Sequence, residues 1–119
     1  MPCFAAAAAG HFRIMIRGKS AHVSTPQLGA DALYIASHAV VALQSLVTRL
    51  TSPVEPVIIG VGKLTAGTTY NAPAETAGLE GTTRSVFQES QERIRDLVSR
   101  TVSSISDLYG GTAEIQLHT

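Results

Sequence analysis

Residues 57–84 read VIIGVGKLTAGTTYNAPAETAGLEGTTR, and they decide the fold because two strand patterns follow one another with no helix between them. Val57 to Val61 is rich in β-branched residues and continues through Gly62, Lys63 and Leu64, whereas Thr65 to Ala74 has the composition of a loop. Thr76 to Arg84 then alternates weakly through Ala77 and Leu79, the period of a second strand. On the N-terminal side, Ile35, Ala39, Leu43, Leu46 and Leu50 recur at spacings of three and four across Asp31 to Leu50, with no Gly or Pro inside. That spacing predicts a helix, which Asp31 is placed to cap and Pro53 and Pro56 to end. On the C-terminal side, Ile94, Leu97, Val98, Val102, Ile105 and Leu108 form one apolar stripe. Ser85 and Gln88 stand at capping-box spacing before it, and Gly110 and Gly111 stop it. At the outside, His11 to Lys19 alternates Phe12, Ile14 and Ile16 with Arg13, Met15 and Arg17, and Thr112 to Thr119 alternates Ala113, Ile115 and Leu117 with Glu114, Gln116 and His118. Both have the period of a half-buried strand.

The order strand, helix, strand, strand, helix, strand is the split βαβ pattern, and right-handed crossovers close it into a ferredoxin-like sandwich. The expected class is α+β: a four-stranded antiparallel sheet in two layers, with both helices on one face and Arg13, Arg17, Glu114, Gln116 and His118 on the open one. The helices differ in kind. Gln88 to Tyr109 sets Glu89, Glu92, Arg93, Arg95, Asp96, Arg100 and Asp107 opposite its stripe, a solvated pattern. Asp31 to Leu50 carries only Asp31 and Arg49, and its back offers Leu33, Tyr34, Ser37, His38, Val41 and Ser45. So apolar a face calls for a partner. The strand over residues 57–64 would be a sheet edge, and a long apolar edge without bulges or inward charges is normally paired or covered. Helix 31–50 and edge strand 57–64 together predict a homodimer with twofold symmetry.

With 119 residues, 45% of them hydrophobic and 15% charged, the chain has room for one domain. Residues 11–119 form it, and the Ala-rich residues 1–10 read as a connecting segment. No Lys or Arg precedes that Ala run, as a secretory leader would require. Nine basic residues balance nine acidic ones, and the aromatics are three Phe and three Tyr. Neither a footprint for phosphate backbones nor a set of base-stacking platforms results, so nucleic acid is not expected as a partner. No apolar run reaches the length of a membrane span, so no membrane partner is expected either. The single Cys3 closes no intrachain disulfide, and one Cys with four scattered His fills no zinc motif. The expectation is a cytoplasmic chain with no metal site of its own. Gly18-Lys19-Ser20 lacks the upstream Gly of a phosphate loop, where Arg13 stands instead. His22, Ser24 and Asp31 are near one another only along the chain, which does not make a catalytic triad.

Four segments carry more information: Gly18-Lys19-Ser20-Ala21-His22-Val23-Ser24-Thr25-Pro26, Gly29-Ala30-Asp31-Ala32-Leu33, Ala66-Gly67-Thr68-Thr69-Tyr70-Asn71 and Leu79-Glu80-Gly81-Thr82-Thr83-Arg84-Ser85. In this order and spacing the chain, over about residues 10–119, resembles the dimerisation or lid domain of the dinuclear-zinc aminoacylase and carboxypeptidase family, whose relatives include hippurate hydrolases and N-acyl-amino-acid amidohydrolases. The resemblance implies a ferredoxin-like lid inserted into a catalytic domain that holds two zinc ions and a general-base glutamate, none of which this chain supplies. It implies that His22 reaches into the partner subunit's active site to stabilise an oxyanion, that Asn71 contacts substrate, and that Arg84 binds the substrate carboxylate. The implied substrates are N-acyl amino acids or small peptides, and the chain alone would be inert. Relatives usually read Asn-Val-Ile-Pro where this chain reads Asn71-Ala72-Pro73-Ala74, with the proline one place earlier. Chemically, an imidazole N–H suits an oxyanion and a guanidinium forks onto a carboxylate. His11, His38 and His118 lie outside these motifs and read as structural. The alternative reading is a stand-alone ferredoxin-like module, either regulatory and binding a small metabolite, or an RNA platform. The RNA version has only Phe12 to offer on the first strand.

Overall fold

A computed structural model describes residues 8–19, 27 and 29–118. Strands β1 (Ala8–Arg17), β2 (Val57–Ala66), β3 (Thr76–Ser85) and β4 (Thr112–His118) form one antiparallel sheet in the order β2-β3-β1-β4, with helix α1 (Ala32–Leu50) following β1 and helix α2 (Gln88–Leu108) following β3. This is the expected α+β ferredoxin-like sandwich. Phe12, Ile14 and Ile16 alternate inward along β1 and are fully buried beneath Ile35, Ala39 and Leu43 of α1 and Ile94, Val98 and Val102 of α2. Period-2 strands laid on period-3.6 helices thus give one continuous core. Arg13, Arg17, Glu114, Gln116 and His118 share the open face, as the register of β1 with β4 requires. By length and composition α1 is apolar enough to cross a membrane, yet it lays Ala32, Ile35, Ala36, Ala39, Leu43 and Leu46 into the core.

The boundaries depart from the periodicity in informative places. β1 starts at Ala8, because Ala8, Ala9 and Gly10 pair with Ser85, Arg84 and Thr83, so these small residues belong to the sheet. Ser85 is not a helix cap. It is the last residue of β3, pointing inward, and its hydroxyl donates to Phe87 O (3.0 Å) and Gln91 Oε1 (3.3 Å), while Phe87 takes the N-cap position with no side-chain bond. The edge strand β2 is not free of bulges either. Its register with β3 shifts between Val61 and Lys63, so Gly62 is the extra residue that bends the edge. Phe12 faces the helices at 0% exposure, which removes the aromatic an RNA platform would need.

Candidate functional site

At one end of the sheet, three backbone segments are bound side by side. Gly18 N donates to Glu75 O (2.7 Å), Lys19 and Ala30 exchange bonds of 2.7 and 2.9 Å, and Ala32 N donates to Ala74 O (2.9 Å). The chain therefore leaves β1, returns at Ala30 to begin α1, and meets the stem of the β2–β3 loop at one junction. His22 belongs to the segment that leaves and returns there, and it lies outside the described residues, as does Ser24. Asp31 is the N-cap of α1, as the sequence indicated, its Oδ1 accepting from Leu33 N at 3.0 Å. Asn71 is exposed on the β2–β3 loop, and its Oδ1 accepts from Thr69 Oγ1 at 2.7 Å. That bond fixes the oxygen inward to the turn and leaves the Nδ2 group as the donor available to a ligand.

Arg84 stands at the other end of β3. From Thr76 to Arg84 the strand advances about 26 Å, so the structure does not bring Asn71 and Arg84 together within one chain. Arg84 is on the open face between Ile58 of β2 and Ala9 of β1. Of Arg13, Arg17, Lys63 and Arg84 on that face, only Arg84 has no ion pair among the described residues. Arg13 (3.1 Å) and Lys63 (3.6 Å) converge on Glu80, and Arg17 reaches Glu114 (3.6 Å). The hydrogen bond from Arg13 holds the Glu80 carboxyl below the ordinary carboxylate value, helped by the charges of Arg13 and Lys63 and opposed by partial burial. Glu80 therefore pairs with two of these cations, and Arg84 is not among them.

The remaining feature is the outer face of α1. Leu33, Tyr34 and Val41 are 44%, 52% and 70% exposed, and Ser37, Val40, Val61, Gly62, Lys63 and Leu64 line a shallow groove between α1 and the β2 edge. Tyr34, His38 and Tyr109 form a ring cluster with centroids 5.1–5.7 Å apart. The Tyr34 hydrogen bond, then burial, raise the Tyr109 hydroxyl above its usual pKa. Sequence reasoning missed this cluster and the Glu80 hub, since both join residues distant along the chain. Among the described residues, no group of three or more His, Cys, Asp or Glu is placed to hold a metal ion.

Comparison with known proteins follows the same lines. A family model described as a peptidase dimerisation domain matches residues 6–113. The chain is 38% identical over 92 residues to an N-acetyldiaminopimelate deacetylase of Bacillus cytotoxicus, covering 77% of this chain and 24% of that protein. It is 33% identical over 113 residues to an N-acetyl-L-cysteine deacetylase of Bacillus subtilis, covering 95% and 27% respectively. The chain thus spans about a quarter of the length of these curated relatives. Among solved structures, a tripeptidase from Staphylococcus aureus superposes with a TM-score of 0.82 at 25% identity, over 94% of this chain and 29% of that one. A dinuclear metal-binding peptidase of the M20 family from Bacillus subtilis gives 0.71 at 23% identity, over 94% and 26%.

Proposed function

Because the chain belongs to the peptidase dimerisation-domain family of the M20 peptidases, we propose that it is the lid of an amidohydrolase or peptidase acting on N-acyl amino acids or small peptides, that it pairs with a second copy of itself, and that it lends His22, Asn71 and Arg84 to catalysis carried out elsewhere. The observation that carries this reading is the separation of Asn71 and Arg84 along β3, which one small substrate cannot bridge within a single subunit. Twofold pairing removes the difficulty. When two β2 edges run antiparallel across an axis, the Ala66 end of one lies beside the Val57 end of the other. Arg84, at the Val57 end, then shares a sheet end with Asn71 of the partner subunit. Three strand spacings separate the two β3 strands, about 14 Å, within reach of an extended acyl amino acid and two side chains. The segment bearing His22 leaves the sheet at the Asn71 end, so His22 too would act on the site that contains the other subunit's Arg84.

In this arrangement Arg84 forks onto the substrate carboxylate, the Asn71 amide donates to a substrate oxygen, and an imidazole N–H of His22 stabilises the oxyanion as it forms. The described residues offer no metal site, so metal ions, zinc by the resemblance, and the general base would belong to the rest of such an enzyme. The outer face of α1 and the groove beside β2 supply apolar surface for the dimer, and the Gly62 bulge adds twist where the two edges cross. The test is sedimentation equilibrium of the 119-residue chain. A particle of about twice the 12.5 kDa chain mass is expected, and Val41→Glu should weaken it at least tenfold, because an unpaired buried charge is costly. A wild-type chain that stays at 12.5 kDa at high micromolar concentration would contradict the reading.

A further inference from the structure

We propose that Asp31 is a positioning residue that holds the Asn71 loop against the start of α1. Its role in catalysis rests on the function proposed above; the clamp itself does not. A helix cap needs one acceptor for one backbone N–H. Asp31 Oδ1 accepts two, from Leu33 N (3.0 Å) inside the helix and from Ala74 N (3.1 Å) in the β2–β3 loop, 43 residues away in sequence. The Ala74 peptide is gripped from both sides, since its oxygen accepts from Ala32 N (2.9 Å). Proline at 74 would have no N–H to give. With proline at 73 instead, the N–H of Ala74 is free to meet Asp31. The surrounding junction has no slack: Ala30, Ala32 and Ala74 are buried, and a Cβ on Gly18 would lie 2.1 Å from Ala30 O. Asn71 stands three residues before this anchored peptide, so the clamp sets the stem from which its amide is aimed.

Two variants separate the clamp from the cap. Asp31→Ser keeps a good N-cap but shortens the acceptor, and Ala74→Pro deletes the loop donor while keeping an aspartate at the N-cap position. In amide hydrogen exchange of the 119-residue chain, Gly18 and Ala32 should exchange about fivefold faster or more in both variants, as expected for the loss of one hydrogen bond, that from Ala74 N to the Asp31 carboxylate. Val98 and Val102 in α2 should be unchanged, and so should Ile35 in the capped turn. Unaltered exchange at Gly18 and Ala32 in both variants overturns the proposal. In the enzyme carrying this domain, Asp31→Ser should lower kcat/KM in the wild-type background and add nothing to Asn71→Ala. Additive losses would mean that Asp31 acts on stability alone and would also overturn it. Should Asn71→Ala by itself leave kcat/KM intact, it is the proposed substrate contact that fails, a separate result.

Discussion

Gly81 has no side chain because β3 leaves no room for one. On the helix side of the sheet, a Cβ there would lie 2.2 Å from Gly60 O and 2.4 Å from Phe12 Cζ. Phe12 is the largest fully buried side chain of β1, and this glycine gives its ring the space it occupies. Gly60, on the neighbouring strand, faces the open side, where a Cβ would meet only Thr82 Oγ1 at 3.8 Å. The two positions make opposite predictions. Gly81→Ala should destabilise by about 3 kcal/mol, since overpacking against backbone and a locked ring cannot relax cheaply. Gly60→Ala should be neutral or stabilise by about 0.5 kcal/mol, through reduced freedom of the unfolded chain. Urea midpoints at constant m-value measure both. Equal shifts for the two variants would mean that Phe12 does not pack as described.

At the level of elements, α2 begins without a side-chain cap and is held instead from outside. Glu55, in the loop between α1 and β2, accepts from Ser90 and is paired with Arg93, which also donates to Leu50 O at 3.0 Å. The Glu55–Arg93 pair thereby ties the end of α1, the loop before β2 and the first turns of α2 together. The Ser90 hydrogen bond, followed by those of Arg93 and its charge, lowers the Glu55 pKa from its ordinary 4.5 against the effect of burial. A carboxylate with a depressed folded pKa contributes stability that is complete above its unfolded value and is lost as pH falls through the folded one. Glu55→Gln should therefore melt below wild type at pH 7, with the gap closing as pH falls below 4.5. A gap of constant size from pH 7 to pH 3 would exclude this role.

The same elements set the limit of what the sequence could disclose. Period-2 alternation of Phe12, Ile14 and Ile16 and the 3-and-4 spacing from Ile35 to Leu50 are local signals, and strands, helices and open face follow from them. Ser85 misled because capping-box spacing says nothing about whether the serine has already been claimed by a strand. Gly62 gave no warning, since a glycine in a strand pattern fits a bulge and a plain strand equally well. At the site, the opposite placement of Asn71 and Arg84 follows from topology alone. The bond from Ala74 to Asp31 spans 43 residues and has no local signature.

For the molecule as a whole, the sheet order β2-β3-β1-β4 leaves β2 at an edge with α1 above it, so apolar helix face, groove and strand edge share one side. The same order puts Lys19 and Ala30, which flank the sequence that carries His22, and the Asn71 loop at one end of the sheet, and Arg84 at the other. In the dimer proposed above, division of His22, Asn71 and Arg84 between two subunits would be a property of the fold rather than of any single residue. It is tested most directly in the enzyme that carries this domain, by mixing two inactive variants, His22→Ala and one lacking the general base of the catalytic domain. His22→Ala alone should lose about 10²-fold or more in kcat, as expected for the removal of one oxyanion donor. If His22 serves the other subunit, exchange of chains produces heterodimers in which one of the two sites has both groups, and activity should return to about a quarter of wild type at equal mixing. Activity that stays at the level of either parent, with exchange of subunits demonstrated, would contradict action across the dimer.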